Sequence, residues 1–370
     1  MVTAAHSHPR VRPGTPLAAV RHLGPNWYAS VMGTAIVANA GVALPYDVPG
    51  LRTACAAVWA LSLLMLTVLL LARAAHWAHH RDQARAHLLD PAVAPFYGCL
   101  SMALLAVGGA TLLVGRDWIG VGAAVVLDTV LFTAGAAIGL AAAVAIPYLM
   151  VVRHKIAADQ ASPVWLLPVV APMVAAALGP LLVPHLPPGQ AQRALLYACF
   201  AMFGMSLLAT LVMLPLIFAR LVTGPPLPLA LTPTVFLVLG PLGQSTTAAN
   251  KFADAAQGVL PAPYDQGFAV FAVLYGVPVL GFALLWLTLA TAMVVRARRA
   301  GMGFAMTWWA FTFPVGTCVT GAAGLGLHTG LAAYDWLAAA LFAVLVTAWS
   351  VALAQTARGL LSGRLLAAPR

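Results

Sequence analysis

Long apolar stretches, separated by short polar segments, run along the chain from residue 26 to residue 357. A stretch of roughly 20 apolar residues is long enough to cross the hydrocarbon core of a membrane as an α-helix. The pattern therefore predicts an all-α integral membrane protein with a membrane domain at 25–357 and short tails at 1–24 and 358–370. The ten predicted spans are 26–45, 51–79, 94–114, 118–151, 162–184, 190–221, 229–249, 264–297, 304–326 and 331–357.

Five of the ten predicted helices begin at a nearly constant interval. Each interval is long enough for one helix that runs outward, a short loop and one helix that returns, and such units are related by rotation about the membrane normal. The sequence thus predicts five helical hairpins in a quasi-five-fold arrangement, with the odd-numbered helices around a central pore. The helix starts lie near Trp27, Phe96, Trp165, Thr234 and Trp309, at intervals of 69, 69, 69 and 75 residues.

Composition and charge agree with a polytopic membrane protein and predict its orientation. With 62% hydrophobic and 8% charged residues, the chain has too little polar surface for a soluble domain. Of its 19 Lys and Arg residues, only Arg52, Arg116, Arg193 and Lys251 fall on one side of the predicted helices. Because basic residues in short loops stay in the cytoplasm, both termini are predicted to be cytoplasmic, with the chain in the plasma membrane. The basic cytoplasmic face attracts anions, although topology and anionic lipid account for the same charges.

The predicted inner helices contain helix-breaking residues and small uncharged polar residues. Proline and glycine at membrane depth bend a helix and free backbone groups, which are tolerated where they face a cavity or another helix. Without a buried ring of cations, such a pore passes anions that shed water easily and does not bind them tightly. Close helix packing accounts for the small residues equally well. The residues that we expect to bend or line the pore are Gly33, Pro168, Pro172, Pro241, Pro314 and Thr317.

Two segments carry a family resemblance. Residues 25–45, PNWYASVMGTAIVANAGVALP, resemble the first helix of the tellurite-resistance/dicarboxylate transporter family, and residues 308–316, WWAFTFPVG, resemble its ninth-helix motif. The proline-rich fifth helix and residues 233–243 also fit, so the resemblance covers roughly 22–356. The family includes bacterial TehA-like proteins, fungal malate and sulfite transporters and plant slow anion channels.

The resemblance implies five hairpins around a narrow pore, a homotrimer, and a phenylalanine of the ninth helix that plugs the pore. By its position in the motif, that residue is Phe313, beside Pro314. Phe311, two residues earlier, is the competing assignment, and Phe313 as an ordinary packing residue is the alternative. An aromatic ring can close a narrow tube both sterically and by excluding water.

Asp128 and a group of histidines are the other candidate functional residues. Asp128 is predicted near mid-membrane in the fourth span, where a charged group is a candidate for proton coupling. The alternative is a hydrogen-bonded or protonated structural carboxyl group. His76, His79, His80 and His87 follow one another at the end of the second span. Their spacing allows two imidazoles to face one metal ion, but no Cys or carboxylate completes a site, so pH sensing is the other hypothesis.

Three functional hypotheses follow from these features. The first is a passive channel for small anions that is gated at Phe313. The second is a proton-coupled carrier of C4-dicarboxylates, monocarboxylates or sulfite, and the third is a membrane enzyme or haem protein that uses the histidines. Because the sequence has no phosphate-binding loop, catalytic triad or metalloprotease motif, we expect no enzyme activity, cofactor, metal or nucleic-acid partner. The identity of the anion is not predicted.

Overall fold

The computed structural model describes residues 20–157, 160–363 and 365, and these residues form helices and connecting segments without a β-strand. Arg10, Arg12, Arg364 and Arg370 of the predicted tails lie outside the described residues. The short helix Arg81–Leu89 joins α2 to α3. The long helices are α1 (Tyr28–Gly41), α2 (Leu51–His79), α3 (Ala94–Ile119), α4 (Val121–Val152), α5 (Pro163–His185), α6 (Gln190–Thr223), α7 (Leu229–Ala256), α8 (Tyr264–Arg299), α9 (Met306–Thr329) and α10 (Ala332–Leu361).

Each predicted span overlaps one of these helices, but the predicted and observed ends differ by up to several residues. Within the described ranges, nine helices, α2 to α10, are long and apolar enough to cross a membrane. α1 has 14 residues and ends at Gly41, earlier than the predicted end at residue 45. Pro45 favours an end of the helix before residue 45, because it disfavours the α conformation at the residue before it. The count of ten spans therefore stays a prediction.

The long helices fall into two classes by burial. In α3, α5, α7 and α9, between 78% and 89% of the most apolar window is buried, and every residue of α1 is buried. In α2, α4, α6, α8 and α10, only 22% to 33% of that window is buried. The exposed remainder of the second class is apolar, as a surface in contact with lipid chains requires. We refer to the first class as the inner helices and the second as the outer helices.

The inner helices contact one another in chain order, and the last contacts the first. α1 packs on α3, α3 on α5, α5 on α7, α7 on α9, and α9 on α1. Each outer helix packs against the inner helix that precedes it, so each pair is a hairpin. Glycine allows the close approach: a Cβ atom at Gly243 of α7 would lie 2.6 Å from the backbone nitrogen of Cys318 in α9.

Every inner helix begins with a 3-10 segment or, in the case of α1, directly follows one, which explains the regular starts in the sequence. The 3-10 segments are Pro25–Trp27, Ala94–Phe96, Pro163–Trp165, Leu229–Val238 and Met306–Phe311, and each contains one of the five predicted start residues. The proline in the first three of these segments lies at the first or second position, where its missing N–H costs no hydrogen bond.

The prolines that we expected to bend the inner helices lie near the change from 3-10 to α geometry. The α segments begin at Leu166, Leu239 and Phe313. Three of the prolines, Pro168, Pro241 and Pro314, lie within the first three residues of these segments. Pro172 lies farther along its α segment. Three of the four prolines therefore mark the junction between the two helix types.

Candidate functional site

A large cavity lies among the five inner helices, toward their C-terminal ends. Its volume is about 540 Å³, and all five inner helices contribute to its wall. Representative lining residues are Asn39 of α1, Ala106 of α3, Leu178 of α5, Thr247 of α7 and Thr320 of α9. We call this cavity the vestibule. The charge distribution predicts that its end of the protein is extracellular.

A second, much smaller cavity lies among the N-terminal halves of the same five helices. Its volume is about 10 Å³, which is at most the room of a single water molecule. We call it the small cavity. None of its lining residues has a polar side chain: they are Met32, Met102, Leu166, Leu167, Val170, Leu237, Gly240, Phe313 and Pro314.

Phe313 lies between the two cavities. Among the described residues that line the vestibule, it is the only one that also lines the small cavity. Its side chain is 2% exposed. Phe313 is the first residue of the α segment of α9, directly after the junction with the 3-10 segment, and it lies where the two cavities meet. The ring therefore separates a roomy space from a nearly closed one.

The backbone around Phe313 is held by hydrogen bonds. The Thr312 hydroxyl donates to the carbonyl oxygen of Trp309 over 2.7 Å, and the Thr317 hydroxyl donates to that of Pro314 over 2.7 Å. The fully buried Trp309 indole donates to the hydroxyl of Thr356 in α10 over 3.0 Å. These bonds hold the backbone on both sides of Phe313.

Phe311 lies in a different environment. Its ring packs edge-on against Phe236 at 4.9 Å and against Trp308 at 5.8 Å. With Trp308 it lines an open groove on the surface beside α10, and it lines neither the vestibule nor the small cavity. Of the two phenylalanines that the sequence left open, only Phe313 lines the cavities between the inner helices.

The vestibule wall carries uncharged polar groups. The amide nitrogen of Asn39 donates to the carbonyl oxygen of Ala106 over 3.0 Å, and that of Asn250 donates to Thr246 over 3.0 Å. The side-chain oxygens of Asn39, Asn250 and Gln244 accept no hydrogen bond from the described residues. These groups make the vestibule wall polar without placing a net charge on it.

Charged groups occur only at the wide end of the vestibule. Lys251 lines the vestibule, and its ammonium group lies 2.9 Å from a carboxylate oxygen of Asp254. The other oxygen of Asp254 lies 3.2 Å from His328 Nε2. Asp335 also lines this end. Because Lys251 is paired and partly exposed, its charge attracts anions weakly and does not hold them.

The other predicted pore residues lie at contacts between inner helices. Gly33 faces α9, where an added Cβ would lie 2.8 Å from the Trp309 ring. Thr317 fits against Gly243 of α7. Both residues are buried, as are Pro168, Pro172 and Pro241, and none of the five lines the vestibule or the small cavity.

Sequence reasoning did not single out four polar residues of the vestibule as site residues. These residues are Asn39, Gln244, Asn250 and Lys251. Three of them are uncharged and lie in the C-terminal half of an inner helix. These residues could have been identified from the sequence by searching for polar side chains near the C-terminal ends of the predicted inner helices.

Asp128 lies within a hairpin and away from both cavities. It is on α4, its exposed fraction is 3%, and it packs against Gly108 of α3. Its neighbour Leu131 approaches the same glycine. Asp128 lines neither the vestibule nor the small cavity. Its role in proton coupling stays a prediction.

The histidines pack together at the C-terminal end of α2. The His76 ring stacks on that of His87, with centroids 5.4 Å apart, and His76 Nδ1 lies 2.9 Å from the carbonyl oxygen of Val20. Burial lowers the pKa of His87 below its ordinary value, which favours the neutral imidazole. No group of three metal-ligating side chains is arranged around a common point in the part of the chain that the structure describes.

Comparison with known proteins places this geometry among transporters of anions. The family model described as "SLAC1: Voltage-dependent anion channel" matches residues 22–357. A protein named sulfite efflux pump SSU1 from Arthroderma otae is 27% identical over 348 residues, which is 91% of each chain. An uncharacterized transporter of Methanocaldococcus jannaschii is 25% identical over 345 residues, 93% of this chain and 95% of its own. The family match includes Phe313 and both cavities.

Proposed function

This chain belongs to the SLAC1 family of voltage-dependent anion channels, the family that its first- and ninth-helix motifs resemble, and we propose that it is a passive channel for small anions with a gate at Phe313. The family consists of anion channels and transporters, not of enzymes. The hypothesis of a membrane enzyme or haem protein is therefore set aside. The multi-pass membrane setting follows from the nine apolar helices and the family.

One observation carries the proposal: Phe313 lines both cavities on the axis of the inner helices. In the conformation described above, its ring and the apolar wall of the small cavity block the path. A tube this narrow and apolar excludes water and ions, and a rotamer change of one ring opens it without moving a helix.

The proposed pore has ten crossing helices in five hairpins with quasi-five-fold arrangement. The order of inner-helix contacts, which returns from α9 to α1, supports this arrangement. The full burial of α1 supports its place in the same ring, although it is the shortest inner helix. In this proposal both termini are cytoplasmic, the chain lies in the plasma membrane and the protein is a homotrimer. The trimer rests on the family resemblance alone.

Passive conduction fits the charge of the pathway. Apart from Asp335 and the paired Lys251, the residues that line the vestibule are uncharged, and the small cavity has no polar side chain. Tight binding of an anion needs a fixed positive charge or a cluster of donors, and weak contacts favour rapid passage.

A carrier of sulfite is the second candidate. It is favoured by the 27% identity to the sulfite efflux pump of Arthroderma otae over 91% of both chains. In such a carrier, Asp128 is the residue for proton coupling, because its carboxyl group is deep in a membrane helix. A saturable flux of sulfite that depends on a pH gradient would select the carrier over the channel.

The proposal is tested by recording currents from purified protein in planar bilayers with chloride and nitrate gradients. We expect a small anion current from the wild type and a current on the order of tenfold larger from Phe313→Ala, because the ring is the main obstruction. Phe311→Ala is the matched control, since it removes the same side chain from the same helix outside the two cavities.

Wild-type-like current from Phe311→Ala and increased current from Phe313→Ala would support the gate. Equal currents from the wild type and a folded Phe313→Ala variant would contradict it. If all three proteins are silent but take up sulfite in a saturable, pH-driven manner in vesicles, the carrier replaces the channel.

A further inference from the structure

A third cavity lies at the opposite end of the protein from the vestibule. It is a cleft of about 210 Å³ between the C-terminal ends of α6 and α8 and the beginning of α7. Arg220 of α6 and Arg296 of α8 line it, together with the apolar side chains of Leu221, Leu227 and Met293. We call it the arginine cleft. It shares no lining residue with the vestibule or the small cavity.

The two arginines are held in different ways. Arg220 donates a hydrogen bond of 2.6 Å to the carbonyl oxygen of Pro225 and lies over Gly224, where an added Cβ would be 3.5 Å from its guanidinium carbon. Arg296 is exposed and forms no hydrogen bond or ion pair with the described residues. One arginine is therefore positioned by the loop, and the other is available to a ligand.

No acidic residue neutralises this region from its own stretch of chain. The sequence has no Asp or Glu between residues 160 and 253, or between residues 266 and 334. Two other arginines of the same face have partners: Arg21 pairs with Asp82, and Arg73 bonds to Leu23 and Tyr97. The side chain of Arg296 therefore has no acidic partner from these segments.

The walls of the cleft combine guanidinium groups with apolar side chains. Guanidinium groups match phosphate oxygens in charge and in hydrogen-bond geometry. The apolar wall continues onto exposed hydrophobic residues of the adjoining outer helices, among them Val222, which is 67% exposed, and Val295, which is 44% exposed. A ligand that fills both parts has a phosphate head and hydrocarbon chains.

The position of the cleft supports the same ligand. It lies at the ends of two outer helices, on the side that the charge distribution predicts to be cytoplasmic. Anionic headgroups of that leaflet attract basic residues near the membrane surface, and basic pockets between membrane helices bind phosphorylated headgroups. We propose that the arginine cleft binds the phosphate group of an anionic phospholipid, with its acyl chains along α6 and α8.

The proposal is tested in nanodiscs of phosphatidylcholine with a minor fraction of phosphatidylglycerol. The readout is the phosphatidylglycerol that stays with the purified protein after transfer to detergent, measured by mass spectrometry. We expect Arg220→Gln and Arg296→Gln each to retain about fivefold less, which follows from the typical contribution of one basic residue near a membrane surface.

Arg299→Gln is the matched control. Arg299 is exposed at the same end of α8 but does not line the cleft, so its replacement removes the same charge without touching the site. Normal retention by this variant would support the proposal, and an equal loss in all three variants would overturn it in favour of diffuse attraction. If Arg220→Gln folds poorly, the test relies on Arg296→Gln. The Arg296 side chain donates no hydrogen bond to the described residues that its replacement would remove.

Inorganic phosphate distinguishes a lipid site from a site for a soluble anion. We expect millimolar phosphate to leave the retained phosphatidylglycerol unchanged, because it cannot use the apolar wall. Complete displacement by phosphate, or no retention by the wild type, would overturn the proposal. None of these outcomes depends on whether the chain conducts anions.

Discussion

The vestibule and the small cavity are bounded by the same five helices, yet they differ in size and chemistry. The vestibule has about 540 Å³ and a wall with amides and hydroxyls, whereas the small cavity has about 10 Å³ and no polar side chain. Phe313 belongs to both. In the proposed pathway, one half therefore has room for hydrated ions, and the apolar wall of the other half disfavours water.

This contrast indicates where the barrier to conduction is. An anion enters the vestibule with most of its water, because polar groups there replace the contacts that it gives up. Beyond Phe313 the wall offers no such groups, so dehydration and steric obstruction act at the same place. We therefore attribute the barrier to Phe313 and the small cavity together, and expect the vestibule to tune entry only.

The largest expected effect comes from the size of the side chain at position 313. Replacing Phe313 by Leu and by Ala should raise the anion current in that order, to on the order of tenfold for Ala, because each step widens the narrowest point. Bilayer currents at a fixed chloride gradient measure the series. A current that does not follow side-chain size would contradict the assignment of Phe313 as the obstruction.

A smaller increase is expected from a polar side chain in the small cavity. Leu237→Ser both widens and wets the wall, so the current should rise a few-fold with Phe313 in place. Ala323→Ser, which adds a hydroxyl to the already polar vestibule, is the control and should leave the current unchanged. If the two variants behave alike, the contrast between the cavities has no bearing on conduction.

Lys251→Gln should have a modest effect that depends on salt. Loss of this charge leaves Asp254 and Asp335 at the vestibule entrance, so anion current should fall about twofold at low ionic strength. The difference should vanish in molar salt, where charges are screened over about 3 Å. Lys251→Arg, which keeps the charge, should conduct like the wild type. A loss that persists in molar salt would mean that Lys251 acts by contact with the ion.

Asp128→Asn should have the smallest effect. Because Asp128 packs within the α3–α4 hairpin and lines neither cavity, we expect the current and its pH dependence to be retained. Currents recorded at acidic and neutral pH check this. A variant that transports but has lost pH dependence would favour proton coupling and the carrier.

Several elements of the fold could be predicted from the sequence to within a few residues. α2 lies at Leu51–His79, as predicted, because its apolar stretch is long and is preceded by Gly50 in a left-handed turn. The five regular starts correspond to 3-10 segments, whose bulky aromatic and proline residues give the repeat its pattern. Both α2 and the five helix starts could be predicted because long runs of apolar residues mark them in the sequence.

The direction of individual side chains could not be predicted in the same way. A 3-10 helix has 3.0 residues per turn and an α-helix has 3.6, so each change between them rotates the face that follows. In α7 the 3-10 segment extends over ten residues, Leu229–Val238. A period of 3.6 residues, applied to the sequence there, assigns side chains to the wrong face of the helix. Pro168 and Pro241 lie at junctions between 3-10 and α segments. We expected them to bend or line the pore, but they line neither cavity. Phe313 was found through a family resemblance and not through periodicity.

The most direct test of the barrier at Phe313 is the accessibility of introduced cysteines to a membrane-impermeant thiol reagent added from the vestibule side. The variants are Thr320→Cys in the vestibule and Val170→Cys in the small cavity, each with Phe313 present or replaced by Ala. The natural cysteines Cys55, Cys99, Cys199 and Cys318 are buried, so the unmodified parent protein gives the background.

We predict that Thr320→Cys reacts in both backgrounds, and that Val170→Cys reacts only when Phe313 is replaced by Ala. Rapid reaction of Val170→Cys with Phe313 in place would contradict the claim that this ring separates the two halves of the pathway.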